Sequence, residues 1–172
     1  PVPLPSLAHS VDVLNQQLDD RQQQLSVLEL LFMNRNLLDE VLPEGRPVSD
    51  GWLSSYFGYR TDPFTGRPEF HEGVDIAGKM GEPVVAVAAG VVNYAGKRSG
   101  YGNLVEISHG NGFVTRYGHN SAILVAVGET VSKGQAVALL GSTGRSTGPH
   151  VHFEVWRGGK VVNPIKYLNA AN

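Results

Sequence analysis

The stretch Gly148–Glu154, with the sequence GPHVHFE, constrains the fold of this chain more than any other segment. Successive side chains of a β-strand point to opposite faces, so a strand here separates its polar residues from its apolar ones. The polar face holds His150, His152 and Glu154, and the apolar face holds Val151, Phe153 and Val155. Two imidazoles about 6.6 Å apart along one strand face can converge on a small object such as a metal ion. A solvated polar face is the plain alternative for this stretch taken alone.

A second group of metal-binding residue types lies upstream. His71 and Asp75 stand four residues apart in HEGVD, with Gly73 between them to relax the backbone. Neutral imidazole and carboxylate are Zn²⁺ ligands, and a catalytic zinc site combines three such ligands with one open position. His119 closes a strand-like run that begins at Phe113. The ordered set of HxxxD, a lone histidine and HxH indicates a metal site more specifically than either motif alone.

The composition is that of a folded, turn-rich protein without cysteine. Of 172 residues, 41% are hydrophobic and 17% are charged, so we expect one domain with a core plus an appendage. The 21 glycines and 10 prolines favour a β domain with many turns. The absence of cysteine excludes disulfides, thiolate ligands and a cysteine nucleophile. A net charge of -2 gives no electrostatic reason to expect nucleic acid or an anionic membrane as a partner.

Residues 1–47 have the pattern of a helical arm followed by a linker. No glycine or proline interrupts the chain from Ser6 to Leu42, and apolar residues recur at spacings of three and four, as in a coiled-coil seam. The seam consists of Leu4, Leu7, Val11, Leu14, Leu18, Leu25, Leu28 and Phe32, with Arg21 and Arg35 at two expected apolar positions. We predict one helix of about 50 Å at 1.5 Å per residue, or two helices with a break near Arg35. The linker is predicted at Pro43–Pro47.

The narrow seam and the polar remaining faces favour a stalk or regulatory arm over a helix packed on its own domain. Such an arm offers a surface for self-association or for an envelope protein partner. The chain begins at Pro1 rather than Met and contains neither a signal peptide nor a run of about 18 apolar residues. We therefore expect an upstream anchor or signal that this sequence lacks.

Residues 48–172 have the pattern of a mainly β domain. The apolar run Val84–Tyr94 contains Gly90, which predicts one strand with a bend or bulge. The strand-like runs Asn103–His109 and Phe113–His119 flank a Gly-Asn-Gly turn, which predicts a β-hairpin.

Two polar residues beside these motifs are open to more than one interpretation. His109 borders the predicted hairpin turn, and we expect it to be structural or exposed rather than a metal ligand. Glu154 either orients a metal ligand by a hydrogen bond without itself binding the metal, or is an exposed strand residue.

Taken together, these motifs resemble the M23 family of zinc metallopeptidases, the lysostaphin- or LytM-type endopeptidases that cut peptidoglycan cross-bridges. The resemblance extends from about Gly51 to Leu168. Besides HEGVD and GPHVHFE, it includes FGYR at 57–60, YGN at 101–103, HGNG at 109–112, YGH at 117–119 and GSTG at 141–144. It implies a compact antiparallel β-sheet metallopeptidase domain at 48–172, preceded by the helical arm.

The resemblance also implies roles for individual residues. The zinc ligands of the family fall on His71, Asp75 and His152, for one Zn²⁺ per chain. Its two non-ligand catalytic histidines fall on His119 and His150. One of these two would take the proton from the attacking water, and the other would steady the oxyanion or protonate the leaving amine; the sequence leaves the order open. It also leaves open the exchange in which His150 is the ligand and His152 the catalyst.

The implied function is zinc-dependent hydrolysis of peptide cross-links in bacterial peptidoglycan, in the periplasm or cell envelope. The helical arm favours an envelope-anchored enzyme acting on D-alanyl–diaminopimelate bonds over a secreted glycyl-glycine endopeptidase. A second class is a non-catalytic relative that activates cell-wall amidases; such relatives lose zinc ligands, whereas this chain keeps the matched ones. A third class is a phosphoryl- or lipoyl-carrying β domain, suggested by GQAVALL at 134–140, but a carrier has no need of Asp75.

Overall fold

The computed structural model describes residues 40–168 and eight residues between positions 11 and 25. The chain divides into two units, Pro1–Asp39 and Glu40–Asn172. In the first unit the described residues are helical and exposed, while half of the predicted seam (Leu4, Leu7, Leu28 and Phe32) and any break near Arg35 lie outside the described residues. No helix in the described part of the chain is long and apolar enough to cross a membrane.

The second unit is mainly β, as the sequence predicts, and its strands pair antiparallel. The strands are β1 (Trp52–Ser55), β2 (Gly58–Thr61), β3 (Pro68–His71), β4 (Val74–Ala77), β5 (Pro83–Val85), β6 (Gly90–Arg98), β7 (Gly102–Gly110), β8 (Phe113–Asn120), β9 (Ala122–Ile123), β10 (Thr130–Val131), β11 (Ala136–Leu139), β12 (His150–Arg157) and β13 (Lys160–Val162). One short helix, α1 (Ile165–Leu168), follows the last strand.

The largest sheet has eight strands, and β12 lies in its interior. The strand order is β1-β4-β12-β8-β7-β6-β10, and β13 also pairs with β12. A second sheet has the order β5-β11-β9, and β2 pairs with β3. The strand that carries HVHFE, β12, is therefore flanked by β4 and β8, the strands that carry Asp75 and His119.

The register of β12 determines which residues lie beside its histidines. His152 pairs with Asp75 of β4 on one side and with Gly118 of β8, the residue before His119, on the other. Two motifs that are 77 residues apart in the chain thus become neighbours through strand pairing.

The apolar face of β12 is part of the core. Val151, Phe153 and Val155 are fully buried, and the Phe153 ring packs against Tyr117 with 5.5 Å between the ring centroids. Truncating a buried phenylalanine to alanine costs about 3–5 kcal/mol, so this face anchors the strand strongly. The predicted alternation is confirmed, and it leaves the opposite face available for polar chemistry.

The predicted hairpin is also confirmed. β7 and β8 are joined by Asn111 and Gly112, whose φ values are 48° and 76°. Two consecutive positive φ values are what a type I′ turn requires, and Asn-Gly is the sequence that adopts it most readily.

The prediction of one strand across Val84–Tyr94 is wrong. The run divides into β5 and β6, which belong to different sheets. Gly90 begins β6 at a point of close approach, because a Cβ there would lie 2.3 Å from the Ser108 carbonyl oxygen. The glycine marks contact with a neighbouring strand and not a bend within one strand.

Residues 40–47, predicted as the arm's end and the linker, are hydrogen-bonded to the β domain. The Glu40 carbonyl accepts a bond of 2.7 Å from the Ala89 amide. The Glu44 amide donates to the Val87 carbonyl at 3.2 Å, and the Gly45 amide donates to a carbonyl of the last helix at 2.9 Å. This segment therefore contributes to the domain that follows it.

Candidate metal centre and catalytic groove

Three buried side chains from β3, β4 and β12 converge on one point. His71 Nε2 lies 3.0 Å from His152 Nδ1, and Asp75 Oδ1 lies 3.2 Å from the first atom and 2.8 Å from the second. The three residues can each offer one ligand atom, and these atoms lie within 4.8 Å of one another. Two imidazole nitrogens and one carboxylate oxygen are the donor set of a catalytic zinc site. The residues present therefore fit a zinc ion.

Partners on the far side of His71 and Asp75 fix which atoms face that point. His71 Nδ1 lies 2.9 Å from the Tyr56 carbonyl oxygen, which can only accept, so Nδ1 carries the hydrogen and Nε2 has the free lone pair. Arg60 Nη1 donates to Asp75 Oδ2 at 3.0 Å, which leaves Oδ1 directed at the two histidines. Such outer partners orient metal ligands before the metal arrives.

His152 is flanked by two carboxylates. Its Nδ1 lies 2.8 Å from Asp75 Oδ1, and its Nε2 lies 3.0 Å from Glu154 Oε1. Burial opposes protonation of this ring, but the two carboxylates raise the pKa of His152 to about 9. Burial would by itself raise the pKa of Asp75, yet the hydrogen bond from His152 and the nearby His71 ring hold that pKa well below its usual value. A metal ion would therefore compete with a proton at His152 Nδ1.

Glu154 is not an exposed strand residue, because it is 0% exposed. Its carboxylate accepts hydrogen bonds from His152, Tyr101, Trp156 and Arg116. Burial would raise the pKa of Glu154, but the hydrogen bonds from His152, Trp156 and Tyr101 lower it to about 2. The side chain is therefore an ionised, buried carboxylate directly behind one of the three converging residues.

His119 and His150 lie next to each other beside the three converging residues, with 4.7 Å between their ring centroids and 56° between their ring planes. His119 Nδ1 lies 2.7 Å from the Thr143 carbonyl oxygen, and His150 Nδ1 lies 2.8 Å from the Gly148 carbonyl oxygen. Both Nδ1 atoms therefore carry the hydrogen, and both Nε2 atoms have a free lone pair. His150 Nε2 lies 3.7 Å from Asp75 Oδ1, so this free nitrogen faces the centre of the site.

The backbone of His119 adopts a strained conformation. Its φ is 64°, a left-handed value that is uncommon for a residue other than glycine and costs on the order of 1–3 kcal/mol. Its amide donates to the Tyr101 carbonyl at 2.7 Å, and its carbonyl accepts from the Thr143 amide at 3.2 Å, which holds the conformation. Burial lowers the pKa of His119 to about 4, so the ring is neutral at pH 7 and can accept a proton.

All five of these residues line one open groove. The lining also includes Phe64, in the turn between β2 and β3, and Arg145, in the loop before β12. Arg145 donates to Asp62 and, at 2.8 Å, to Glu69, and its guanidinium lies 4.8 Å from the centre of the Phe64 ring. These contacts join two segments of the groove that are distant in sequence.

Sequence reasoning did not single out three polar residues of this groove, Arg60, Tyr101 and Arg145. The first two belong to the FGYR and YGN stretches, so a signal was present in the sequence without a role attached to it. Arg145 lies in a loop rich in glycine, serine and threonine, where no local pattern indicates its ion pairs.

His109 lies outside the groove and is structural. It is 3% exposed, its Nδ1 lies 2.8 Å from the Ala89 carbonyl oxygen, and its Nε2 lies 2.7 Å from the Thr115 hydroxyl. Burial lowers the pKa of His109. Of the two predicted alternatives, structural and exposed, the structure shows the first.

Residues 69–164 match the family described as Peptidase family M23. The chain belongs to this family. The M23 membership confirms the resemblance, and the three converging residues and the two neighbouring histidines, His119 and His150, all lie within the matched range.

Similar proteins include both an enzyme and an activator. The DD-carboxypeptidase/endopeptidase Mpg of Neisseria meningitidis serogroup B is 47% identical over 113 residues, which cover 66% of this M23 chain and 26% of Mpg. The murein hydrolase activator NlpD of Salmonella typhimurium is 46% identical over 99 residues, which cover 57% of this chain and 26% of NlpD. This chain thus spans about a quarter of the length of either relative.

A solved structure gives the same fold. The crystal structure of a zinc containing peptidase from Vibrio cholerae superposes with a TM-score of 0.59 and 38% identity. The superposition covers 72% of this M23 chain and 38% of that one.

Proposed function

We propose that this chain is a zinc-dependent endopeptidase that hydrolyses peptide cross-links of bacterial peptidoglycan. The observation that carries the proposal is the convergence of three metal-binding side chains next to two histidines with free Nε2 atoms. These residues are His71, Asp75 and His152, and His119 and His150. The similarity to Mpg, whose name describes a DD-carboxypeptidase/endopeptidase, supports the same reaction class.

In this proposal each residue has a defined task. His71, Asp75 and His152 hold zinc, and the chemistry that zinc supplies when bound is polarisation of a carbonyl and activation of water. His119 and His150 supply two free nitrogens. One accepts the proton of the attacking water, and the other steadies the developing oxyanion or returns a proton to the leaving amine.

A second candidate function is activation of a cell-wall amidase, because NlpD is named a murein hydrolase activator. Activation alone requires neither three converging ligands nor outer partners that orient them. Here Tyr56, Arg60 and Glu154 each hold one of the three converging side chains. The presence of partners that orient all three side chains therefore favours the enzyme.

We also propose the D-alanyl–diaminopimelate bond as the scissile bond, and the periplasm or cell envelope as the place of action. The name of Mpg, a DD-carboxypeptidase/endopeptidase, supports this bond type. The exposed helical residues between positions 11 and 25 leave room for self-association or an envelope protein partner.

The test is digestion of purified Gram-negative peptidoglycan, with identification of the products by mass spectrometry. We expect cross-linked dimers to become monomers, a chelator to stop the reaction and added zinc to restore it. Pentaglycine-bridged peptidoglycan is the control substrate and should remain intact. If the zinc-loaded protein releases nothing but stimulates an added amidase, the activator is the correct function.

A further inference from the structure

We propose that Glu154 is a positioning residue that holds the His152 ring so that Nδ1, and not Nε2, faces the metal. The inference rests on the proposed metal site and concerns a residue outside the set of ligands. It explains why a carboxyl group with four hydrogen-bond donors is fully buried at the end of the HxHxE stretch.

The carboxylate of Glu154 has a donor at every side. Oε1 accepts from His152 Nε2 at 3.0 Å and from the Tyr101 hydroxyl at 2.7 Å. Oε2 accepts from Trp156 Nε1 at 2.6 Å and from Arg116 Nη1 at 3.3 Å. An unpaired buried carboxylate is strongly unfavourable, and four donors offset that cost. The side chain therefore has one orientation.

This orientation determines the tautomer of His152. Trp156 and Arg116 can only donate to Oε2, and the Tyr101 hydroxyl donates to Oε1. The Glu154 oxygens are therefore acceptors, and the hydrogen of a neutral His152 ring must reside on Nε2. The lone pair then lies on Nδ1, the atom that faces His71 Nε2 and Asp75 Oδ1. Without Glu154, no carboxylate at Nε2 would fix the tautomer and the orientation of the His152 ring.

A row of charges across three strands keeps Glu154 in place. Glu106 of β7, Arg116 of β8 and Glu154 of β12 are direct cross-strand neighbours. Arg116 Nε donates to Glu106 at 2.6 Å, and the guanidinium lies 4.3 Å from the centre of the Trp156 ring. Glu106 thus shares the arginine with Glu154 but has no contact with the metal site, which makes it a matched control.

Tyr101 connects this support to the catalytic side of the groove. Its hydroxyl donates to Glu154, and its carbonyl accepts from the amide of His119. Its ring packs edge-on to His152 with 5.7 Å between centroids. One residue therefore contacts both the group behind the ligand and the strained backbone of a proposed catalyst.

The test compares the zinc affinities of Glu154→Gln and Glu106→Gln by competition with a chromogenic chelator, with melting temperatures measured on the same samples. Loss of an outer partner of a ligand typically weakens metal binding by about 10–100-fold, and we expect this for Glu154→Gln. The amide can no longer accept at both oxygens, so it cannot satisfy all four donors. Glu106→Gln should bind zinc as tightly as the original protein, even if it melts at a lower temperature.

Two results would overturn the inference: an unchanged zinc affinity in Glu154→Gln, or equal losses of affinity in both variants, which would indicate a purely structural role. If Glu154→Gln does not fold, Glu154→Asp replaces it. That variant keeps the charge but shortens the reach to Nε2, and unchanged zinc binding would be equally decisive. Failure of the original protein to bind zinc would overturn the proposed function together with this inference, whereas zinc binding unaffected by Glu154→Gln overturns the inference alone.

Discussion

A Cβ on Gly73 would occupy the space of the His152 ring. It would lie 2.7 Å from Cε1 and 2.9 Å from Nε2 of that ring, and 2.5 Å from the Phe153 carbonyl oxygen. The backbone of Gly73 is not in the left-handed region, so the glycine is required for close approach and not for conformational freedom. The expectation that it relaxes the backbone of HEGVD is corrected accordingly.

We predict that Gly73→Ala weakens zinc binding at least tenfold, because the methyl group must displace the His152 ring or separate β4 from β12. Overpacking of this kind costs typically about 1–3 kcal/mol of unfolding free energy. Gly96→Ala is the matched control. The atom nearest to a Cβ at that position would be the Tyr94 hydroxyl oxygen, at an ordinary contact distance of 3.5 Å. Chelator competition and chemical denaturation measure both quantities. Zinc affinity equal to that of the original protein in Gly73→Ala would contradict this account of the glycine.

The buried His109 should make the fold sensitive to mild acid. Burial lowers its pKa, so between its folded pKa and the unfolded value near 6.5 the unfolded chain binds a proton that the folded chain does not. The contribution of His109 to the free energy of unfolding is therefore fully present above about pH 6.5 and decreases as the pH falls below it.

The measurement is the free energy of unfolding at pH 7.5 and pH 5.5, in the original protein and in His109→Gln. Contributions of the other titrating groups, including His119 and His152, are common to both proteins and cancel in the difference. We expect a smaller loss of stability on acidification in the variant. An identical pH dependence would show that His109 is not the group that titrates.

Local patterns predicted the parts of the site that lie within one element. The alternation along β12 follows from the period of a strand, and the hairpin follows from Asn111-Gly112, whose turn type depends on local backbone preferences. The pairing of Asp75 with His152 is different in kind. It depends on the register between β4 and β12, which no local pattern specifies.

The same distinction explains what sequence reasoning missed. The burial of Glu154 depends on donors from β8 and from the Tyr101 turn, and only its other two donors, His152 and Trp156, are close to it in sequence. The sequence of Val84–Tyr94 predicts one strand, because an apolar run does not indicate whether one sheet or two different sheets bury its residues. The division between β5 and β6 is decided by contacts with Ser108 and with residues 40–47, all distant in the chain.

Deletion of residues 1–39 should leave a folded β domain with unchanged zinc affinity. The cut is placed there because the chain divides at this point and because Glu40, Glu44 and Gly45 form backbone hydrogen bonds with the domain. Deletion of residues 1–47 is the control. It removes those bonds, at about 0.5–1.5 kcal/mol each, and should lower the melting temperature. A higher cleavage rate after the shorter deletion would indicate that the arm inhibits, and a shorter deletion that precipitates would refute the two-part organisation.

Single alanine variants of three histidines separate ligand from catalyst. His152 Nδ1 lies among the converging ligand atoms, whereas His119 and His150 have hydrogens on Nδ1 and free Nε2 atoms beside them. His152→Ala should therefore weaken zinc binding at least tenfold, more than loss of an outer partner would. His119→Ala and His150→Ala should keep zinc and the fold, while cleavage of peptidoglycan falls by about 10²–10⁴, the range for a lost general acid or base.

Zinc content after dialysis and cleavage rate, measured on the same three proteins, distinguish this assignment from its two alternatives. If His150 is the ligand and His152 the catalyst, His150→Ala will lose the metal and His152→Ala will keep it. If His119 or His150 only packs in the groove, its variant will retain more than about half of the activity, too small a loss for a general acid or base. The 3.7 Å between His150 Nε2 and Asp75 Oδ1, against 2.8 Å for His152 Nδ1, is the reason we expect His152 and not His150 to be the ligand.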